Sequence, residues 1–145
     1  MHTNSCEELL TAWLKLSATV RNERIVKYLT FREVFILNIL THADKDSFIT
    51  ATDIIEITGM LKSQVNKVLT DLEEEGFITR EKDKTDKRKI HIMITEKGEE
   101  IYKKEHDGIL NILDKVCEKL GESRIDSFVS EIYSIVDAIE AIYEV

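Results

Sequence analysis

TDLEEEGFITREKDKTDKRKIHIMITEKGEEI, residues 70–101, is the stretch on which the fold turns. It opens inside a helical pattern in which Val65, Val68, Leu69 and Leu72 fall on one face, predicting a helix from about Lys62 to Glu75. Gly76 stands just past its end, where a left-handed backbone is usually needed. The period then changes from 3.6 to 2. Phe77 to Arg80 and Lys89 to Ile94 read as two strands, the second alternating Ile90, Ile92 and Ile94 with other residues. Between them Glu81 to Arg88 forms a charged hairpin loop with neither Gly nor Pro. Thr95 ends the second strand and caps another helix, whose first turn tolerates Gly98.

Working toward the N-terminus, Thr50 is a good helix cap with Asp53 near enough to support the helix start electrostatically. That helix carries Ile54, Ile55 and Ile57, stops at Gly59, and leads through the turn Gly59-Met60-Leu61. Before it, Phe48-Ile49 is a short extended piece and His42 to Ser47 a polar loop. Thr30 with Glu33 forms a capping box for a helix whose buried face is Val34, Leu37 and Leu40 or Ile39. A first helix begins near Ser5, with Leu9, Trp13, Leu16 and Val20 as its stripe. Toward the C-terminus, the helix opened by Thr95 runs to about Leu120 with Ile101, Ile109, Ile112, Leu113, Val116 and Leu120 aligned, and Gly121 breaks it. The last helix, roughly Ser123 to Tyr143, places Ile125, Phe128, Ile132, Ile135, Ile139 and Ile142 at spacings of 3, 4, 3, 4 and 3. This is the seam of a coiled coil, and it is expected to meet a partner helix. The fold class is mainly α with a small β-hairpin (α+β).

Composition narrows the function. The 145 residues are 43% hydrophobic and 33% charged, a globular balance. No Pro and only five Gly permit long helices. The N-terminus lacks a basic stretch followed by an apolar one, so no signal peptide is expected, and no apolar run reaches the ~20 residues of a membrane span. Cys6 and Cys117 lie far apart, which suits a reducing cytoplasm better than a disulfide framework. The net charge of −8 is unevenly spread: residues 93–145 carry 6 basic and 13 acidic side chains, residues 77–92 carry 6 basic and 3 acidic. Local field, rather than total charge, decides where a phosphate backbone docks. Gly-rich phosphate loops, GxSxG and HExxH are absent, and runs such as Glu73-Glu74-Glu75 read as solvated surface, so no enzyme is expected. His2, His42, His91 and His106 are isolated and are expected at the surface, with neither a metal nor another cofactor implied.

The order helix–turn–helix–strand–loop–strand is that of a winged helix-turn-helix. Ile54, Gly59, Val65 and Val68 fall where packing and the turn require them, leaving Lys62, Ser63, Gln64, Asn66, Lys67 and Thr70 facing outward on the second helix. Such a helix fits the major groove: Gln64 and Asn66 suit adenine, Lys62 and Lys67 suit guanine or phosphate, and Ser63 suits phosphate. Taken alone this face is equally a solvated helix surface. Lys82, Lys84, Lys87, Arg88 and Lys89, crowded on the hairpin that follows, favour duplex DNA.

The pattern from about Leu29 to Tyr102 resembles the winged-helix core of the multiple-antibiotic-resistance-regulator (MarR) family. The residues that carry the resemblance are Leu72-Glu73, Gly76-Phe77-Ile78, Arg80, Asp83, Asp86, Arg88, Thr95 and Gly98. The resemblance implies that Asp86 holds Arg88, which contacts the minor groove with help from Lys84 or Lys87. Thr85 stands where the family often has Arg. It further implies a cytoplasmic homodimer built from residues 1–29 and 96–145, through Ile125, Phe128, Ile132, Ile135 and Ile139. Residues 30–95 would be the DNA-binding core, reading a pseudo-palindromic operator. Many members are repressors released by a small lipophilic or phenolic effector, and Trp13, Leu16, Phe31, Phe35 and Tyr102 are candidates to line its pocket, although such residues are more often ordinary core. Some relatives sense oxidants through a Cys in the first helix. Cys6 does not fit that pattern and has no basic neighbour, while Cys117 reads as a small buried residue. The alternative is a winged-helix protein-interaction module that never touches DNA, which net acidity and Thr85 would support.

Overall fold

The computed structural model describes residues 1–21 and 25–144. Residues 22–24 and 145, inside the segments 1–29 and 96–145 drawn from the sequence, lie outside the described residues. The chain divides into two compact units, Met1–Gly108 and Ile109–Val145.

The first unit is built from locally encoded helices. α1 (Asn4–Val20) starts at Thr3, whose Oγ accepts the Cys6 N–H at 3.3 Å. α2 (Phe31–His42) has a complete capping box: Thr30 Oγ accepts the Glu33 N–H and the Glu33 carboxylate accepts the Thr30 N–H at 2.9 Å. α3 (Ala51–Thr58) repeats the device, because Asp53 accepts the Thr50 N–H at 2.8 Å as well as favouring the helix dipole. Gly59 closes α3 at φ +67°, a conformation that costs residues with a Cβ. α4 (Lys62–Glu74) follows, and its Val65, Val68, Leu69 and Leu72 are all buried. With Ile36, Leu37 and Ile54 they form the core beneath the helix-turn-helix, each contributing about 1.5–3 kcal/mol by burial.

β1 (Ile78–Lys82) and β2 (Ile90–Ile94) form an antiparallel hairpin in the register Ile78↔Ile94, Arg80↔Ile92 and Lys82↔Ile90. The ladder runs two residues further than the sequence suggested: Glu81 and Lys82 pair with His91 and Ile90, shortening the loop at its near end. Phe48-Ile49 is extended as expected, and the Ile92 N–H donates to the Ile49 carbonyl at 2.8 Å, bridging the hairpin to the body.

The hairpin base is tied to α5 (Glu96–Leu120) by one compact junction. Thr95 Oγ donates to the Gly76 carbonyl at 2.6 Å and accepts the Gly98 N–H at 3.0 Å, while the Thr95 N–H donates to the Phe77 carbonyl. Lys97 Nζ donates to the Glu75 carbonyl at 2.6 Å, satisfying the end of α4. Gly98 is required rather than tolerated, because a Cβ there would overlap the Phe77 carbonyl oxygen and crowd Ile94. Further along α5, the buried Glu105 carboxylate accepts the N–H groups of Lys27 at 2.5 Å and Tyr28 at 3.0 Å, pinning the segment that leads into α2. Tyr102, also buried, accepts a hydrogen bond from Asn38 of α2 at 2.6 Å.

The stripe on α1, which the resemblance gives to the dimerisation region, is uncovered within one chain: Leu9, Trp13 and Leu16 are exposed, Trp13 at 58%, so neither Trp13 nor Leu16 is ordinary core, and only Val20 is half-buried. Two expectations need correction. His91 is buried and His106 half-buried, so neither is a plain surface histidine. Cys117 is half-buried rather than buried. The second unit comprises the C-terminal stretch of α5 and α6 (Glu122–Tyr143), joined at Gly121, whose φ is +86°. α6 is continuous across the whole predicted seam yet has no buried residue, and Phe128, Ile132, Ile135 and Ile139 remain exposed.

The two glycines of α5 separate close packing from helix propensity. Gly98→Ala is expected to destabilise the chain by about 1–3 kcal/mol in urea unfolding through overpacking. Gly108→Ala, where a Cβ meets nothing, is expected to stabilise it by roughly 0.5–1 kcal/mol. Equal effects at the two positions would contradict the junction described above.

Candidate nucleic-acid interface

α4 presents the polar face that its sequence required. Because Val65, Val68, Leu69 and Leu72 turn inward, Lys62, Ser63, Asn66, Lys67 and Thr70 are left exposed. Their freedom differs. Lys67 pairs with Asp71 at 3.2 Å one turn on, a surface contact of little energetic weight that a phosphate can replace. Thr70 Oγ donates back to the Asn66 carbonyl, leaving the Asn66 side chain free of recorded bonds among the described residues. Gln64 is half-buried, and its Oε1 accepts the Leu61 N–H at 3.1 Å. It therefore closes the start of α4, which has no Ser, Thr, Asp or Asn at its cap. Its amide nitrogen alone remains for other contacts.

The hairpin loop is organised by carboxylates. Asp83 accepts from Thr85 Oγ at 2.7 Å, the Thr85 N–H at 3.2 Å and the Asp86 N–H at 2.8 Å, and its second oxygen lies 2.9 Å from His91 Nε2. The His91 bond, followed by those from Thr85 and Asp86, holds the Asp83 carboxyl well below the usual carboxylate range. Asp86 accepts the Arg88 N–H at 3.1 Å and lies 3.6 Å from Arg88 Nε. Lys84, Lys87, Arg88 and Lys89 are exposed, the Arg88 side chain at 96%. Near the hairpin base, Arg80 is spent on Glu73 of α4, with contacts of 2.9 and 3.3 Å. That hydrogen-bonded pair lowers the Glu73 carboxyl and raises the Arg80 guanidinium, locking the hairpin against the helix it follows.

The apolar residues singled out as a pocket do not converge. Phe31 and Phe35 line an open groove of about 910 Å³ with Arg32, Met60, Ser63 and Lys67, between the start of α2 and the start of α4. Tyr102 is in the core instead, and Trp13 and Leu16 lie exposed on α1. His91 is the residue that sequence reasoning missed. Its register opposite Glu81 lies in the part of the ladder that the sequence pattern assigns to the loop, and that register sets it near Asp83.

A polar helix held behind a capped helix and a tight glycine turn, followed by a basic two-stranded hairpin, defines a winged helix-turn-helix protein. Residues 29–89 match the model of the MarR family. The chain is 24% identical over 130 residues to the HTH-type transcriptional regulator YwhA of Bacillus subtilis (strain 168), covering 90% of this chain and 91% of that one. Its fold is similar to that of the transcriptional repressor CouR bound to a 23-mer DNA duplex, with a TM-score of 0.78, 22% identity and coverage of 94% and 98%. It is also similar to the PcaV transcriptional regulator of Streptomyces coelicolor in complex with its natural ligand, with a TM-score of 0.72, 18% identity and coverage of 90% and 91%. No described helix is long and apolar enough to cross a membrane.

The depressed Asp83 carboxyl gives a signed pH dependence. Its contribution to stability is fully present above its unfolded value near ~3.9 and is lost as pH falls through the lower folded value. The stability difference between wild type and Asp83→Asn is expected to stay level from about pH 5 to 8 and to close below about pH 4. A difference that persists unchanged into stronger acid would mean that the carboxylate does not hold the loop.

Proposed function

We propose that the chain is a sequence-specific DNA-binding transcriptional regulator that acts without catalysis. In this reading it represses as a homodimer and is released by a small-molecule effector. The observation that carries the reading is the physical linkage of two different nucleic-acid surfaces. The exposed polar face of α4 and the basic loop of the hairpin are bolted together by Arg80–Glu73 and by the Thr95–Gly76 junction. A helix so presented reads base edges in the major groove, while Lys84, Lys87 and Arg88, the last oriented by Asp86, follow the backbone toward the minor groove. Asn66 is the freest base reader, and Lys62, Ser63, Lys67 and Thr70 serve base or phosphate contacts. Gln64 contributes mainly by holding the helix start.

Dimerisation gives the seam of α6, with Ile125, Phe128, Ile132, Ile135 and Ile139, a partner that one chain does not supply. Twofold symmetry then demands a pseudo-palindromic operator with half-sites about one helical turn apart. The duplex bound to CouR and the ligand bound to PcaV, two proteins of this fold, support the two partners assigned here. For a lipophilic or phenolic effector the groove beside Phe31 and Phe35 is the assigned position, since a ligand there touches the start of α4 and biases its placement.

Gel-shift titration of DNA from the chain's own upstream region, across salt concentrations and against excess random duplex, tests the reading. Binding that survives the competitor and weakens steeply with salt is expected. No binding at low salt would favour a winged-helix interaction module. Arg88→Ala is expected to weaken all sites roughly evenly and to lower the salt slope by about one. Asn66→Ala is expected to relax preference at a single half-site position, by about 1–3 kcal/mol of discrimination. Ile132→Glu should convert the sedimenting species to monomer; a profile that stays dimeric would move the interface elsewhere.

A further inference from the structure

We propose that His91 is a positioning residue of the wing. In this role it holds Asp83 in the orientation that folds residues 83–86 into the turn presenting Lys84, Lys87 and Arg88. The inference rests on the nucleic-acid reading of the hairpin and adds to it a buried residue outside the exposed basic set.

The loop needs an internal fastener. Two backbone bonds close it, the Asp83 N–H to the Lys89 carbonyl at 2.9 Å and the Lys89 N–H to the Asp86 carbonyl at 3.0 Å. It contains no Gly or Pro, however, and no residue other than glycine in the described chain has a positive φ, so residues 84 and 85 are held by no backbone–backbone bond among the described residues. Its cationic side chains at 84, 87 and 88 repel one another. Within that closed loop, the stretch from 83 to 86 is held by one carboxylate. Asp83 Oδ2 gathers the Thr85 N–H, the Thr85 hydroxyl and the Asp86 N–H, and Asp86 in turn accepts the Arg88 N–H. Rotation about the Asp83 side chain would release its three bonds to Thr85 and Asp86 at once, and its other oxygen opposes that rotation: Oδ1 is bonded to His91 Nε2 at 2.9 Å.

The chemistry of the pair fixes who donates. An ionised carboxylate only accepts, so Nε2 must carry the hydrogen. The imidazole cannot swing away either. It is buried, lies against the Phe48 ring at a centroid distance of 4.1 Å, and has its Nδ1 enclosed without a partner among the described residues. Phe48 belongs to the extended piece whose Ile49 carbonyl bonds to Ile92, the residue after His91. A chain of contacts therefore runs from the body through Phe48, His91 and Asp83 to the backbone of Asp86 and Arg88. Glu81 across the ladder, Asp53 of α3 and Lys89 are the other charged groups near the imidazole, and none of them is recorded in a bond to it among the described residues.

The experiment compares His91→Leu with His91→Gln in the full chain. Leucine fills the site without a donor, whereas the glutamine amide nitrogen can reproduce the Nε2–H. Two readouts are taken: hydrogen exchange of the Thr85 and Asp86 amides by NMR without DNA, and DNA affinity across salt. In His91→Leu the two amides are expected to exchange about fivefold faster or more, and DNA binding to weaken by a similar factor, with both restored within about twofold in His91→Gln. Unchanged exchange in His91→Leu overturns the proposal, as does a glutamine variant as defective as the leucine one. Amides that respond as expected in a protein that binds no DNA, even as wild type, uphold the fastening of the loop and overturn the nucleic-acid reading instead.

Discussion

The position of the wing depends on one steric constraint, the close approach of α5 to the Phe77 carbonyl at Gly98. Without a Cβ at that position, the first turn of α5 can lie against the end of the α4–β1 connection. Thr95 then reaches the Gly76 carbonyl and Lys97 the Glu75 carbonyl. Three elements share this contact: the end of the helix proposed to read bases, the base of the hairpin, and the start of the long helix. Because interiors are close-packed, such a junction behaves as a rigid corner rather than a hinge. Arg80–Glu73 repeats the restraint one turn away.

Most of the first unit was legible in the sequence because its signals are local. Thr30 with Glu33 forms the capping box as read, and Thr50 caps α3 as read, while Asp53, expected to act through the helix dipole, also completes a capping box there. Gly59 and Gly76 sit where helices must end, and both have positive φ. The site was legible where it depended on helix periodicity, which turned Lys62, Ser63, Asn66, Lys67 and Thr70 outward. It was illegible where a contact crosses elements. Gln64 read as a base contact because its role at the helix start depends on Leu61 having no capping side chain. Gly98 read as merely tolerated because the carbonyl it admits lies 21 residues earlier. His91 read as surface because strand alternation tells which face a residue takes, not that Phe48 will cover it.

Charge follows the same division. The overall −8 arises largely in residues 93–145, whereas the exposed loop between the strands is locally basic. Within that loop the acids do not cancel the bases. Asp83 and Asp86 spend their oxygens on backbone N–H groups, the Thr85 hydroxyl, His91 and Arg88, leaving Lys84 and Lys87 without recorded ion pairs among the described residues. Carboxylates committed to shaping a turn leave its cations available, and the acidity elsewhere disfavours indiscriminate attachment to polyanions.

The bonds from Glu105 to the Lys27 and Tyr28 amides join positions 78 and 77 residues apart. On a ribosome, Lys27 emerges roughly 4–16 s before the carboxylate that will bind it. α2, α3 and α4, each closed at its start by partners three residues apart, are synthesised in that interval. The segment leading into α2 is therefore among the last parts of the first unit to be secured, after the helices on either side of the Gly59 turn have already been made.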